Sequence, residues 1–132
     1  MNKLALCFFL VLLSCNVQKN KTIPLSKIEA LENEFDFGSI TSKDTITHTF
    51  KIKNLAKTSL IVNNIATSCG CTTIGKIDSI YSNNEVVDIT VQFIANNEQY
   101  GKVSNSVVVE MNTEPSFMIF RLKGIVSDGL SN

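Results

Sequence analysis

Residues 45–53 read Thr45-Ile46-Thr47-His48-Thr49-Phe50-Lys51-Ile52-Lys53. Ile46, His48, Phe50 and Ile52 alternate with threonines and lysines, and that period of two predicts a strand with one buried and one solvated face. The same pattern recurs downstream. Val87, Ile89, Val91 and Phe93 alternate with Val86, Asp88, Thr90 and Gln92. Val103, Asn105, Val107, Val109 and Met111 make a third row, and Met118, Phe120 and Leu122 a fourth. Shorter candidates lie at 35–37 and 59–65, and the faintest at 74–80. Between them, residues 54–57, 81–84, 96–101 and 112–115 are turn clusters rich in Asn and Gly. About seven short strands at this spacing predict an all-β fold, an Ig-like β-sandwich. Glu29 to Leu31 is expected to form a turn of helix ahead of it. Phe35, Phe37, Phe50, Phe93, Phe117 and Phe120 would supply much of the core and its rim. The chain has no tryptophan, so the core is not the Cys-Trp-Cys type of antibody domains.

The N-terminus has a different character. Lys3 precedes an apolar run from Leu4 to Leu13. Ten helical residues span about 15 Å, half of a roughly 30 Å hydrocarbon core, so the run fits a secretory leader and not a membrane span. Leu12-Leu13-Ser14-Cys15 resembles the bacterial lipobox, which implies cleavage before Cys15 and lipidation of its sulfur. Two or three acyl chains would anchor the product stably. Residues 1–14 are therefore expected to be a lipoprotein signal peptide, 15–33 a lipidated N-terminus and polar tether, 34–126 the sandwich and 127–132 a flexible tail. A tether of sixteen extended residues would reach at most about 55 Å. Asn16 is not the Asp that resembles an inner-membrane retention signal, and no acidic run follows it. The expected location is the cell envelope, on the outer membrane facing the periplasm.

The 132 residues carry twelve Lys and Arg against twelve Asp and Glu, for zero formal charge. That balance excludes the basic stripe a nucleic-acid binder needs. A single histidine excludes a multi-histidine metal centre. No G-x-S-x-G motif, phosphate loop or His-Glu-x-x-His motif is present, so an enzyme is not expected, nor is a cofactor. Asp44-Thr45-Ile46 and Asp78-Ser79-Ile80 resemble an O-glycosylation pattern, although turn residues beside strands account for them equally.

After processing, the remaining cysteines are Cys69 and Cys71, within Ser68-Cys69-Gly70-Cys71-Thr72. On an extended strand their α-carbons would lie about 6.7 Å apart, at the outer limit for a disulfide. Gly70 can provide a bend that draws them together. Closing so short a loop stabilises by only about 1.5 kcal/mol, so a bond here would be a poor staple and easily reduced. Three readings stay open: a structural pair, a redox-active pair, or a thiolate pair for Cu(I) assisted by His48, Met111 or Met118. His48 could also act as a base for Cys69, but its place on an apolar row suits a partly buried histidine bonded to backbone.

Several of these residues together form a signature: Phe35-Asp36-Phe37-Gly38, His48-Thr49-Phe50 with Asn54, Cys69-Gly70-Cys71-Thr72, Gly101-Lys102-Val103, Asn112 and Gly124-Ile125-Val126. The combination resembles the bacterial envelope family of domains of unknown function numbered fifteen seventy-three. The resemblance implies a sandwich similar to those of sperm-protein and cilia-associated domains, and it implies no established activity. Two loops depart from the family pattern, at Leu55-Ala56-Lys57 and Asn83-Asn84. The expected function is a lipid-anchored, non-enzymatic binding or structural module, monomeric, whose partners are the membrane and an envelope protein or glycan. The alternative is a thiol redox or Cu(I)-handling protein using Cys69 and Cys71.

Overall fold

The computed structural model describes residues 22–129, and the leader and Cys15 lie outside them. Nine strands and no helix occur among the described residues. They are β1 (Ile28–Ala30), β2 (Glu34–Thr41), β3 (Thr45–Asn54), β4 (Leu60–Thr67), β5 (Thr72–Ile74), β6 (Ile80–Tyr81), β7 (Val86–Ile94), β8 (Gly101–Met111) and β9 (Phe117–Ser127). One sheet has the order β1-β3-β7-β5 and the other β2-β9-β8-β4-β6. All pairings are antiparallel except β2 with β9, which is parallel. This is the Ig arrangement of an A-B-E-D sheet against a G-F-C sheet. The expected seven strands become nine because the first strand splits between the sheets, as β1 and β2, and a short β6 extends the second sheet.

The alternating rows face inward. Phe50, Ile52, Val87, Ile89, Val91, Phe93, Val107, Val109, Phe120 and Leu122 are all fully buried. Phe50 of one sheet stacks on Phe120 of the other at 4.7 Å between centroids, which ties the layers together. Phe117 is 58% exposed, so it does not belong to the core. It precedes the inward row 118, 120 and 122 by one residue, and alternation turns it to solvent.

The helical turn expected at 29–31 is instead the edge strand β1, with Glu29 opposite Lys53. Three residues are too few to distinguish the two periods, and pairing with β3 decides between them. Asn112 Nδ2 donates to the Pro24 carbonyl at 3.0 Å, and Ser26 N donates to the Asn112 carbonyl at 2.7 Å. The chain is thus pinned from Pro24 onward.

Much of the sequence signature turns out to hold the fold. Asn54 is fully buried and joins residues 26, 56, 58, 81 and 82 at one end of the sandwich. Asn112 does the same for residues 24, 59 and 61. Gly38 has φ +71°, at a register shift in β2 between Asp36 and Ser39. A Cβ on Gly124 would sit 2.2 Å from the Phe37 ring, so only glycine admits that ring.

Candidate functional site

The Cys69-Gly70-Cys71 segment is the crossing from β4 in one sheet to β5 in the other. Residues 95–100, between β7 and β8, also cross between the sheets at the same end of the sandwich. Ser68 leaves β4 bonded to Ser106, through Ser68 N to the Ser106 carbonyl and Ser106 N to Ser68 Oγ. The chain then turns, and Thr72 N donates to the Cys69 carbonyl at 3.1 Å. This turn brings the two α-carbons to 5.2 Å, closer than an extended strand allows, and Cys69 and Cys71 form a disulfide. Gly70 reaches the bend without a left-handed φ. A Cβ built on it meets nothing within 4 Å, so its side of the turn is open.

The turn also blunts an edge. Cys71 O and Gly75 N bond toward β7, so the backbone of Thr72 points away from it. Those outward groups are taken up locally: Thr72 N by Cys69, and the Thr72 carbonyl by Thr67 Oγ1 at 3.4 Å. A free strand edge is a template for pairing, and here it is partly satisfied from within.

Both sulfurs receive hydrogen bonds. Gln99 Nε2 donates to Cys71 Sγ at 2.9 Å and lies 3.4 Å from Cys69 Sγ. The Cys71 backbone N–H donates to Cys69 Sγ at 3.1 Å, and Asn105 Nδ2 approaches Cys71 Sγ at 3.8 Å. Cys71 packs against the core, and Asn105 behind it is 6% exposed. Gln99 Oε1 is buried and has no hydrogen-bond partner among the described residues. Asn105 was detectable in the sequence as the one polar residue in an apolar row. Gln99 had no such signal, because it sits in a turn cluster whose approach to residues 69–71 exists only in three dimensions.

His48 is elsewhere. Its Nε2 contacts Glu32 Oε1 at 2.7 Å, and its ring stacks on Phe35 at 3.8 Å and meets Phe50 edge-on. It therefore bonds a carboxylate and not backbone, and its contacts do not include either cysteine. Met111 lies six residues from Asn105 along β8, about 20 Å away, and Met118 pairs with Val109. The helpers expected for Cu(I) are thus not assembled at the sulfurs. No group of three metal-ligating His, Cys, Asp or Glu occurs among the described residues.

A second feature lies on the outer face of the β2-β9-β8 sheet. Beside the register shift in β2 lies an open groove of about 530 Å³, lined among others by Asp36, Ser39, Lys102, Ser104, Lys123 and Ile125. Ile125 is 44% exposed on its floor. Lys123 pairs with Glu34, and that hydrogen bond holds the ammonium above the ordinary lysine range.

Comparison with known families matches residues 28–126 to a family model described as a protein of unknown function, DUF1573. The chain belongs to the DUF1573 family. The match begins at β1 and ends within β9, so this DUF1573 domain includes the edge strand that sequence reading had assigned to the tether. No curated protein matches the chain. Among solved structures, the DUF1573 domain is similar to a Porphyromonas gingivalis protein of unknown function, with TM-score 0.67 and 11% identity. That match covers 83% of this chain and 51% of the other, so the chain spans about half the length of that relative. It is also similar to the ASH / PapD-like domain 7 of human CEP192, with TM-score 0.66 and 14% identity, over 89% of this chain and 96% of that one. The secreted serine protease VesC of Vibrio cholerae matches with TM-score 0.60 and 8% identity, over 80% of this chain and 23% of the protease. At these identities the likeness shows the fold, an Ig-like sandwich, and nothing of activity.

Proposed function

We propose that this DUF1573 chain is a non-enzymatic binding module, lipid-anchored through Cys15 in the cell envelope, on the outer membrane facing the periplasm. The leader and the Leu12-Leu13-Ser14-Cys15 motif support the anchor. The observation that supports the binding role is the groove over β2, β9 and β8, with an aliphatic floor at Ile125 and a charged rim at Asp36, Lys102 and Lys123. An apolar floor with a few convergent charges is what a recognition site requires. Its aliphatic and charged lining suits a peptide segment of an envelope protein better than a glycan. Pro24, bonded to Asn112, lies at the opposite end of the strands from the disulfide, which is compatible with an anchor on that side.

Crosslinking pull-down from intact cells tests this reading. Ile125→Asp changes an exposed side chain, so the fold should survive while the crosslinked partner is lost. Retention of the same partner by Ile125→Asp would refute the groove as the binding face, and a glycan in the crosslinked fraction would refute a protein partner. Cys15→Ala should move the protein to the soluble fraction, and unchanged membrane partition would refute the anchor.

A further inference from the structure

The Cys69–Cys71 disulfide carries more than a structural turn needs. A disulfide sulfur is a weak acceptor, yet these two receive an amide N–H from Gln99, a backbone N–H from Cys71 and a distant N–H from buried Asn105. Hydrogen bonds to an ionised acceptor are roughly twice as strong as those to a neutral one. The same donors therefore favour a thiolate over the bonded sulfur. The unpartnered Gln99 Oε1 points the same way. Buried acceptors are normally satisfied, and a reduced cysteine would supply the S–H donor that the oxidised pair lacks.

We propose that Cys69–Cys71 is a thiol–disulfide exchange site, with Gln99 as the residue that stabilises the reduced state. The substrate is a thiolate, carried by a small thiol or by a protein cysteine. Cys71 faces the core and Gly70 leaves the outer side of the turn open, so the incoming sulfur attacks Cys69 Sγ. A new S–S bond forms to Cys69, the Cys69–Cys71 bond breaks, and its electron pair leaves on Cys71 as a thiolate held by Gln99 and Asn105. A second thiol, on the same donor or on a second donor molecule, then attacks the donor sulfur of the mixed disulfide and releases Cys69. The chain gains two electrons and two protons, and the two donor thiols are oxidised to one disulfide. A low-pKa leaving thiolate speeds such exchange, which is the role the Gln99 amide plays.

The test uses the purified full-length protein equilibrated in glutathione redox buffers, with Gln99→Glu and Gln99→Lys as a pair of opposite sign. A carboxylate beside Cys71 disfavours its thiolate and an ammonium favours it. Gln99→Glu should be harder to reduce than wild type by about tenfold in the equilibrium constant, about 30 mV for this two-electron couple. Gln99→Lys should be easier to reduce by a similar factor. Equal equilibria for the two variants would overturn the proposal, whatever their stability. Cys71→Ser should retain a reactive Cys69 that traps a mixed disulfide, whereas Cys69→Ser should react more slowly, and the reverse order would overturn the assignment of Cys71 as leaving group. Exchange measured at equal thiol concentration with glutathione and with reduced thioredoxin assigns the donor to whichever reacts faster. Failure of both to reduce the pair would refute the site.

Discussion

Asn54→Ala removes a side chain with no solvent exposure that satisfies several backbone groups at once. Its Oδ1 accepts from Ser26 Oγ at 2.7 Å and from Ala56 N at 3.0 Å. Its Nδ2 donates toward the carbonyls of Thr58, Ser82 and Tyr81 at 2.9, 3.0 and 3.2 Å. Two amide protons serve three carbonyls, so one bond is shared. Ser82 is exposed, and water can take over its carbonyl after the substitution. Ser26 is 7% exposed, and Ala56, Thr58 and Tyr81 are half-buried, so their groups lose the most. An unsatisfied buried group costs about 1–3 kcal/mol, and partial rehydration of the half-buried groups brings the sum to about 2–4 kcal/mol. Ser26→Ala removes only one of these bonds and should cost about 1 kcal/mol. Urea unfolding of the two variants and wild type measures both numbers, and a single domain of this size suits two-state treatment. Amide exchange at residues 25–27 should also accelerate in Asn54→Ala, because Ser26 is held through that side chain. A loss below about 0.5 kcal/mol for Asn54→Ala, or equal losses for the two variants, would refute the argument that Asn54 is the hub of this end.

Two further outcomes follow from particular contacts. Gly124→Ala places a Cβ 2.2 Å from the Phe37 ring and 2.6 Å from the Gly38 carbonyl, so it should destabilise by about 1–3 kcal/mol, read as a lower urea midpoint. Asp44 accepts from the backbone N–H and the hydroxyl of Thr41, at 2.7 and 2.9 Å, and these bonds hold its carboxyl below the usual value of 3.8. A depressed folded pKa stabilises above the unfolded pKa, and that contribution is lost as pH falls through the folded one. An NMR titration should therefore show Asp44 with a midpoint below 3.8, raised toward that value in Thr41→Val, where the hydroxyl is gone.

These contacts show which parts of the molecule local pattern could reveal. Strands β3, β7, β8 and β9 were legible because each has a long alternating row, and burial on one face dictates that alternation. Strands β1 and β6 span three and two residues, too short for any period, and exist because a neighbouring strand offers hydrogen-bonding groups. His48 illustrates the same limit. Its row was read correctly, but its carboxylate partner, Glu32, lies sixteen residues away in a segment taken for a tether.

The chain's own pattern therefore determined a two-layered β fold, the inward rows of its long strands and the place of the cysteines between two of them, since these follow from period two and turn chemistry alone. Tertiary structure decided the rest: that the first strand divides between the sheets, that Asn54 and Asn112 close one end, that Gly124 makes room for Phe37, and that Gln99 reaches the sulfurs from thirty residues away. The physical reason is that alternation reports only which face of a strand meets water. Hydrogen bonds and close approaches between distant segments depend on which strands become neighbours, and that is settled when the two sheets pack together.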